Sequence, residues 1–100
     1  MYKGTTPTHT FKVKIDTSAI KEVKITYKQN DKIVLTKRTS DCTIEYGKII
    51  TQLSQEDTFL FDSARFVNIQ LRVLLADGQA CNSPIFRKSV GDCLDDEVLV

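Results

Sequence analysis

The residues of this sequence that could do chemistry are few and scattered. The single histidine, His9, sits among threonines near the start, on a stretch with the pattern of an edge strand. A general base or a metal ligand needs partners held at fixed distance. No neighbour in sequence supplies them, so His9 reads as an exposed or half-exposed strand residue. The cysteines are Cys42, Cys81 and Cys93. An odd number without CxxC spacing argues against a disulfide framework and against a zinc site. They read as reduced, small apolar side chains. One bridge, for instance Cys42 to Cys81, stays open, because distant strands can meet in a sandwich. Asp92, Asp95, Asp96 and Glu97 lack the spacing and turning glycine of a calcium loop. No glycine-rich phosphate loop, GxSxG elbow or HExxH occurs. An enzyme would need a convergent pocket around His9 or a cysteine. The sequence therefore points to no enzyme, no cofactor and no metal.

Binding chemistry has more candidates. Lys12, Lys14, Lys24 and Lys28 could form a phosphate-binding face. Readers of single-stranded nucleic acid interleave such residues with exposed aromatics. Here Phe11 and Tyr27 alternate to the opposite face, and the pI of about 7.7 is far from strongly basic. Solvated strand lysines and no nucleic-acid partner follow. Tyr2, Tyr27 and Tyr46 could serve a carbohydrate-binding sandwich only if two or three of them were coplanar and exposed, and Trp is absent. Arg72 is a charge in the middle of the most apolar stretch. By parity it shares a face with Asn68, Gln70 and Leu74. That face is either a solvated surface with a snorkelling arginine or a contact with another subunit, where Arg and Gln are well suited.

These side chains need elements to position them. The stretch Phe66–Val90 organises the chain. Val67, Ile69, Leu71 and Val73 alternate with Asn68, Gln70, Arg72 and Leu74, the period of a strand with one buried face. Asp77-Gly78 suits a tight primed turn, and Gln79–Val90 returns as a second arm. Before this hairpin, alternation predicts strands over Thr8–Ile15, Glu22–Gln29, Lys32–Arg38, Cys42–Tyr46 and Ile49–Leu53. Phe11, Val13, Ile15, Val23, Ile25, Tyr27, Ile33 and Leu35 face inward. Ser54 followed by Asp57 approximates a capping box, so one short helical turn near Ser54–Thr58 carries the chain between sheets, with Phe59 or Phe61 plugging the core. The result is an all-β, immunoglobulin-like antiparallel sandwich of about seven strands.

Residues 1–7 read as a flexible N-terminus, 8–91 as the sandwich and 92–100 as an acidic C-terminal tail. No apolar run approaches 18 residues and residues 1–20 lack a signal-peptide core. The chain is expected to be made and kept in the cytoplasm, without a membrane partner, unless it leaves by lysis or as part of a particle. The net charge of +1 hides an asymmetry. Residues 1–38 hold nine Lys or Arg against three acids, and residues 39–100 hold five against ten. In a compact domain the two halves are expected to interleave and their fields to cancel; if they segregate on the surface instead, identical subunits could pack head to tail.

One block carries a resemblance. Leu53-Ser54-Gln55-Glu56-Asp57-Thr58, then Phe61, Val67-Asn68-Ile69-Gln70-Leu71-Arg72-Val73 and Asp77-Gly78, resembles a "LTxExT…F…G…VxIQLRV…DG" pattern. That pattern recurs in small proteins encoded among the structural genes of tailed phages and prophages of Gram-positive bacteria. The block is also similar to the N-terminal β-sandwich domains of phage baseplate upper proteins. Where the pattern shows a glycine before the long strand, this chain has Ser63-Ala64-Arg65. The resemblance implies a non-enzymatic virion, tail or baseplate module that packs with other virion proteins or with copies of itself, and it implies no catalytic residues. A carbohydrate-binding module for host-surface recognition, with a glycan partner, is the alternative.

Overall fold

Alternating side chains give each strand one apolar edge row, and two sheets form by burying those rows against each other. The computed structural model describes residues 1–100. In chain order the strands are β1 (Thr8–Lys12), β2 (Ile20–Gln29), β3 (Lys32–Arg38), β4 (Cys42–Glu45) and β5 (Lys48–Gln52), then β6 (Val67–Leu75), β7 (Ala80–Asn82) and β8 (Phe86–Lys88). Helix α1 (Gln55–Phe59) lies between β5 and β6. One antiparallel sheet has the order β1-β5-β4. The other runs β3-β2-β6, with β7 and β8 in tandem along the far side of β6. The fold is an all-β sandwich, as the alternation predicts. Val23, Ile25 and Tyr27 of β2 and Val67, Ile69, Leu71 and Val73 of β6 meet Phe11 and Ile49 of the smaller sheet.

The turn and cap chemistry is local. Asn30 and Asp31 both take positive φ (50° and 64°), the pair of left-handed residues that a two-residue hairpin turn requires. Ser54 caps α1: its Oγ accepts the Asp57 N–H at 3.1 Å, and Asp57 Oδ2 accepts the Ser54 N–H at 2.9 Å. Of the two candidate plugs, Phe61 is the one fully buried, 1% exposed, with its ring 5.9 Å from that of Tyr27.

Several expectations need correction. There are eight strands, because the return arm Gln79–Val90 splits into β7 and β8 at Ser83-Pro84. Pro84 has no N–H to donate, and at Ser83 the ladder is completed by a side chain: Ser83 N–H donates to Leu71 O at 2.8 Å, while the Ser83 hydroxyl accepts the Leu71 N–H at 2.9 Å. The turn at Asp77-Gly78 is a three-residue loop, with only Gly78 at positive φ (91°) and Leu75 N–H bonded to Gln79 O. Ile33, read as inward, is 60% exposed. The register slips where Tyr27 pairs with Leu35 and Lys28 with Ile33, so the extra residue Val34 sends Ile33 to the outer face. β1 ends at Lys12, although Val13 N–H still reaches Gly47 O at 2.9 Å. β4 stops at Glu45, which leaves Tyr46 in a turn and 96% exposed.

Residues 1–7 lie outside the sheets and are fastened to the far end of the chain. Gly91 N–H donates to Met1 O at 2.7 Å and Lys3 N–H to Gly91 O at 3.0 Å. The acidic segment 92–100 has no regular structure. Its one attachment to α1 is the Gln55 amide, which bonds both the N–H and the C=O of Leu99.

The two sides of the sandwich differ. On one side β3 passes directly to β4 through a 3-10 turn at Thr39–Asp41. Thr39 Oγ1 accepts the Val23 N–H at 2.8 Å, and Thr51 Oγ1 donates to Asp41 O at 3.1 Å, so this seam is laced shut. On the other side β1 faces β7 and β8 across an open groove.

Candidate functional site

Two polar clusters emerge from this fold, one between the sheets and one on an outer face. The inner cluster centres on a cross-strand row of the smaller sheet, His9–Thr51–Cys42. His9 Nδ1 lies 2.8 Å from the hydroxyl of Tyr27, which crosses from the other sheet and is fully buried. His9 is half-buried on an edge strand, the half-exposed placement expected of it; the Tyr27 partner was not foreseen. Burial, helped by Lys88 and the N-terminal ammonium, lowers the pKa of His9 below 6.5. Burial, with the neighbouring Cys42 and Asp57, raises that of the Tyr27 hydroxyl. Burial also raises the Cys42 thiol, against a hydrogen bond to Thr51. All three shifts favour neutral forms. The row leaves no buried side-chain nitrogen or oxygen without a hydrogen-bond partner. Cys42, Cys81 and Cys93 are all free thiols. No three His, Cys, Asp or Glu side chains converge as a metal site.

Next to this row Lys37 Nζ lies 2.7 Å from Asp57 Oδ2. Lys37 pairs with Ile25 and so faces inward on β3. The parity that places Leu35 inward also places Lys37 there, which is the signal that could have found it. Burial alone would raise the Asp57 carboxyl. The hydrogen bonds from Lys37 and from Ser54 outweigh it and hold the carboxyl below its usual value.

The outer cluster occupies the solvent face of the five-stranded sheet. Asn68, Gln70, Arg72 and Leu74 lie along β6 on that face, as their parity predicts. Asn68 and Arg72 are exposed, while Gln70 and Leu74 are half-buried. Gln70 Nε2 donates to Ser83 O at 3.1 Å, and Arg72 Nε to Asn82 Oδ1 at 3.2 Å. The strand register adds residues that sequence reading did not join to them. Arg38 pairs with Lys24, and Lys24 pairs with Arg72. Three cations thus stand side by side across three adjacent strands. Two rows further, beyond Thr26 and Gln70, Lys28 pairs with Asn68 and Asn68 with Arg87. The Arg87 guanidinium sits 4.0 Å from the ring centroid of Phe66, half-exposed at the margin of the face. The one acid on this face is Glu22, 3.9 Å from Arg38. Like charges directly opposite on neighbouring strands are destabilising, so this face holds cations at close quarters with too few anions among them.

The tyrosines do not share a platform. Tyr27 is buried, Tyr2 lies beside Gly91 before β1 begins, and Tyr46 adjoins Gly47 where Val13 leaves β1. No helix is long and apolar enough to cross a membrane. No protein-family model matches this chain, and no curated protein or solved structure matches it. What fold and surface define together is a class: an all-β sandwich with one cation-rich sheet face.

Proposed function

We propose that this chain is a non-enzymatic protein-interaction module whose working surface is the outer face of the five-stranded sheet. The observation that carries the reading is the row Arg38–Lys24–Arg72. Such a row costs the free protein stability and gains its compensation from an anionic partner surface. Asn68, Gln70 and Asn82 beside it supply neutral hydrogen-bonding groups, and Leu74 a small apolar contact. An arginine-containing sheet face of this composition suits a protein partner that presents carboxylates. Within that class we read the chain as a structural component of a phage or prophage particle, packed against tail or baseplate proteins. Its support is the resemblance of Leu53–Val90 to small phage-encoded sandwiches.

Mass spectrometry of particles from an induced culture of the source organism tests this reading. It expects the chain at fixed stoichiometry with tail or capsid proteins, and cross-links from Lys24 to an acidic neighbour. Absence from particles that hold the other structural proteins would overturn the particle reading. Undiminished incorporation of a Lys24→Glu/Arg72→Glu variant would overturn the assignment of the face.

A further inference from the structure

We propose that the open groove between β1 and β7–β8 takes residues 92–100 of a second copy of this chain as an added strand. The two edges that border the groove are free. β1 is the outer strand of its sheet, and β7 and β8 are the outer strands of theirs. Val13 N–H and Pro7 C=O bond toward β5. By alternation the amides of Thr8, Thr10 and Lys12 point to the free edge. An extended segment laid there finds a row of unpaired backbone donors and acceptors, the requirement for strand addition.

The groove is apolar and continuous. Phe11, Val13, Leu71, Val73, Cys81 and Phe86 line a cavity of about 520 Å³. A second cavity of about 230 Å³ shares Thr10, Phe11 and Phe86 with it and extends it past His9 to Lys88. The charged residues that line the two are Lys12, Lys14 and Lys88, with no Asp or Glu among them.

Segment 92–100 is complementary. It carries Asp92, Asp95, Asp96 and Glu97 and leaves Leu94, Leu99 and Val100 exposed. In an extended strand Leu94, Val98 and Val100 fall on one face, and Asp95 and Glu97 on the other. The apolar set can enter the groove while the two acids meet the lysines at its rim. Asp96 falls on the apolar face. Lys88 pairs with Val67 and so lies on the groove side of β8, where it can take that carboxylate. In its own copy the segment is held to α1 through Gln55 and Leu99, two exposed hydrogen bonds that are readily exchanged. Because groove and segment are different surfaces, the contact is heterologous and repeats head to tail.

Sedimentation equilibrium of the full chain tests this. The chain of 11.3 kDa is expected to associate reversibly as its concentration rises. Asp95→Lys/Asp96→Lys/Glu97→Lys alters exposed residues alone and should weaken association about tenfold or more. Thr10→Pro removes an outward N–H without removing a bond to β5, and should do the same; circular dichroism and melting establish that it folds. Mixed together, the segment variant offers an intact groove and Thr10→Pro an intact segment, so the pair should form a 1:1 heterodimer and nothing larger. A chain that stays monomeric at all concentrations overturns the proposal, as does association of the native chain without heterodimer formation by the two variants. Lys24→Glu/Arg72→Glu, which tests the sheet face, should leave this association intact.

Discussion

Lys37 Nζ and Asp57 Oδ2 lie 2.7 Å apart, and the bond joins the inner face of β3 to the cap of α1. The same carboxylate oxygen accepts the Ser54 N–H. Both side chains are largely buried, at 15% and 17% exposure. One carboxylate therefore ends a helix and neutralises a lysine between the sheets. Asp57→Ala removes both roles and should cost about 2 kcal/mol in chemical denaturation, above the value of an exposed pair and below that of a fully buried one. Lys37→Met leaves the cap and should cost about 1 kcal/mol. A double-mutant cycle isolates the coupling. The Asp57 carboxyl is held below 3.8 in the folded chain, so its contribution is present above that value and lost as pH falls through the lower, folded one.

His9 sets a separate pH window. Burial first, then Lys88 and the N-terminal ammonium, place its folded pKa below 6.5. The unfolded chain then binds more protons than the folded one as pH falls from 6.5, so stability declines through that range. Below about pH 6.5 the slope contributed by His9 should not exceed about 1.4 kcal/mol per pH unit, the limit for a single proton. His9→Gln should flatten it, as read by denaturation at several pH values. An unchanged slope would assign the effect to other groups.

Much of this was legible in the sequence, and the limits have physical causes. Parity along β6 placed Asn68, Gln70, Arg72 and Leu74 on one face, because a long strand with one buried row leaves no other solution. The Ser54–Asp57 cap was legible because it is local. Ile33 was misplaced because a bulge at Val34 reverses parity, and bulges leave no mark in alternation. The Arg38–Lys24–Arg72 row needs the register of three strands, and two of its members, Lys24 and Arg72, are more than forty residues apart in the chain. The Lys37–Asp57 bond needs the packing of one sheet on the other. The break at Pro84 had its signal in the proline itself, read there as part of a single arm.

The core makes a sharper distinction than the sequence could between two phenylalanines. Phe61 is buried against Tyr27, whereas Phe59 is half-exposed and lies over Gly4. Phe61→Ala should cost about 3–5 kcal/mol, the range for deleting a buried aromatic ring. Phe59→Ala should cost distinctly less. Equal losses would mean that the α1–β6 connection does not plug the core through Phe61.

The cationic row makes the least obvious prediction, because stability and binding should move in opposite directions. Lys24 stands between Arg38 and Arg72, and Glu22 approaches only Arg38, at 3.9 Å. Replacing Lys24 with Thr keeps a good strand former and removes the central charge. The free chain should gain about 0.5 kcal/mol at low ionic strength, within the range measured for cross-strand pairs. That gain should shrink as salt is raised, since the repulsion it relieves is exposed to screening. Association with the acidic partner should weaken in the same variant. A residue kept for packing alone would lose stability when replaced and show no salt dependence. A stabilised chain that binds less well is the signature of a charge retained for its partner, and denaturation at two salt concentrations alongside particle incorporation measures both halves.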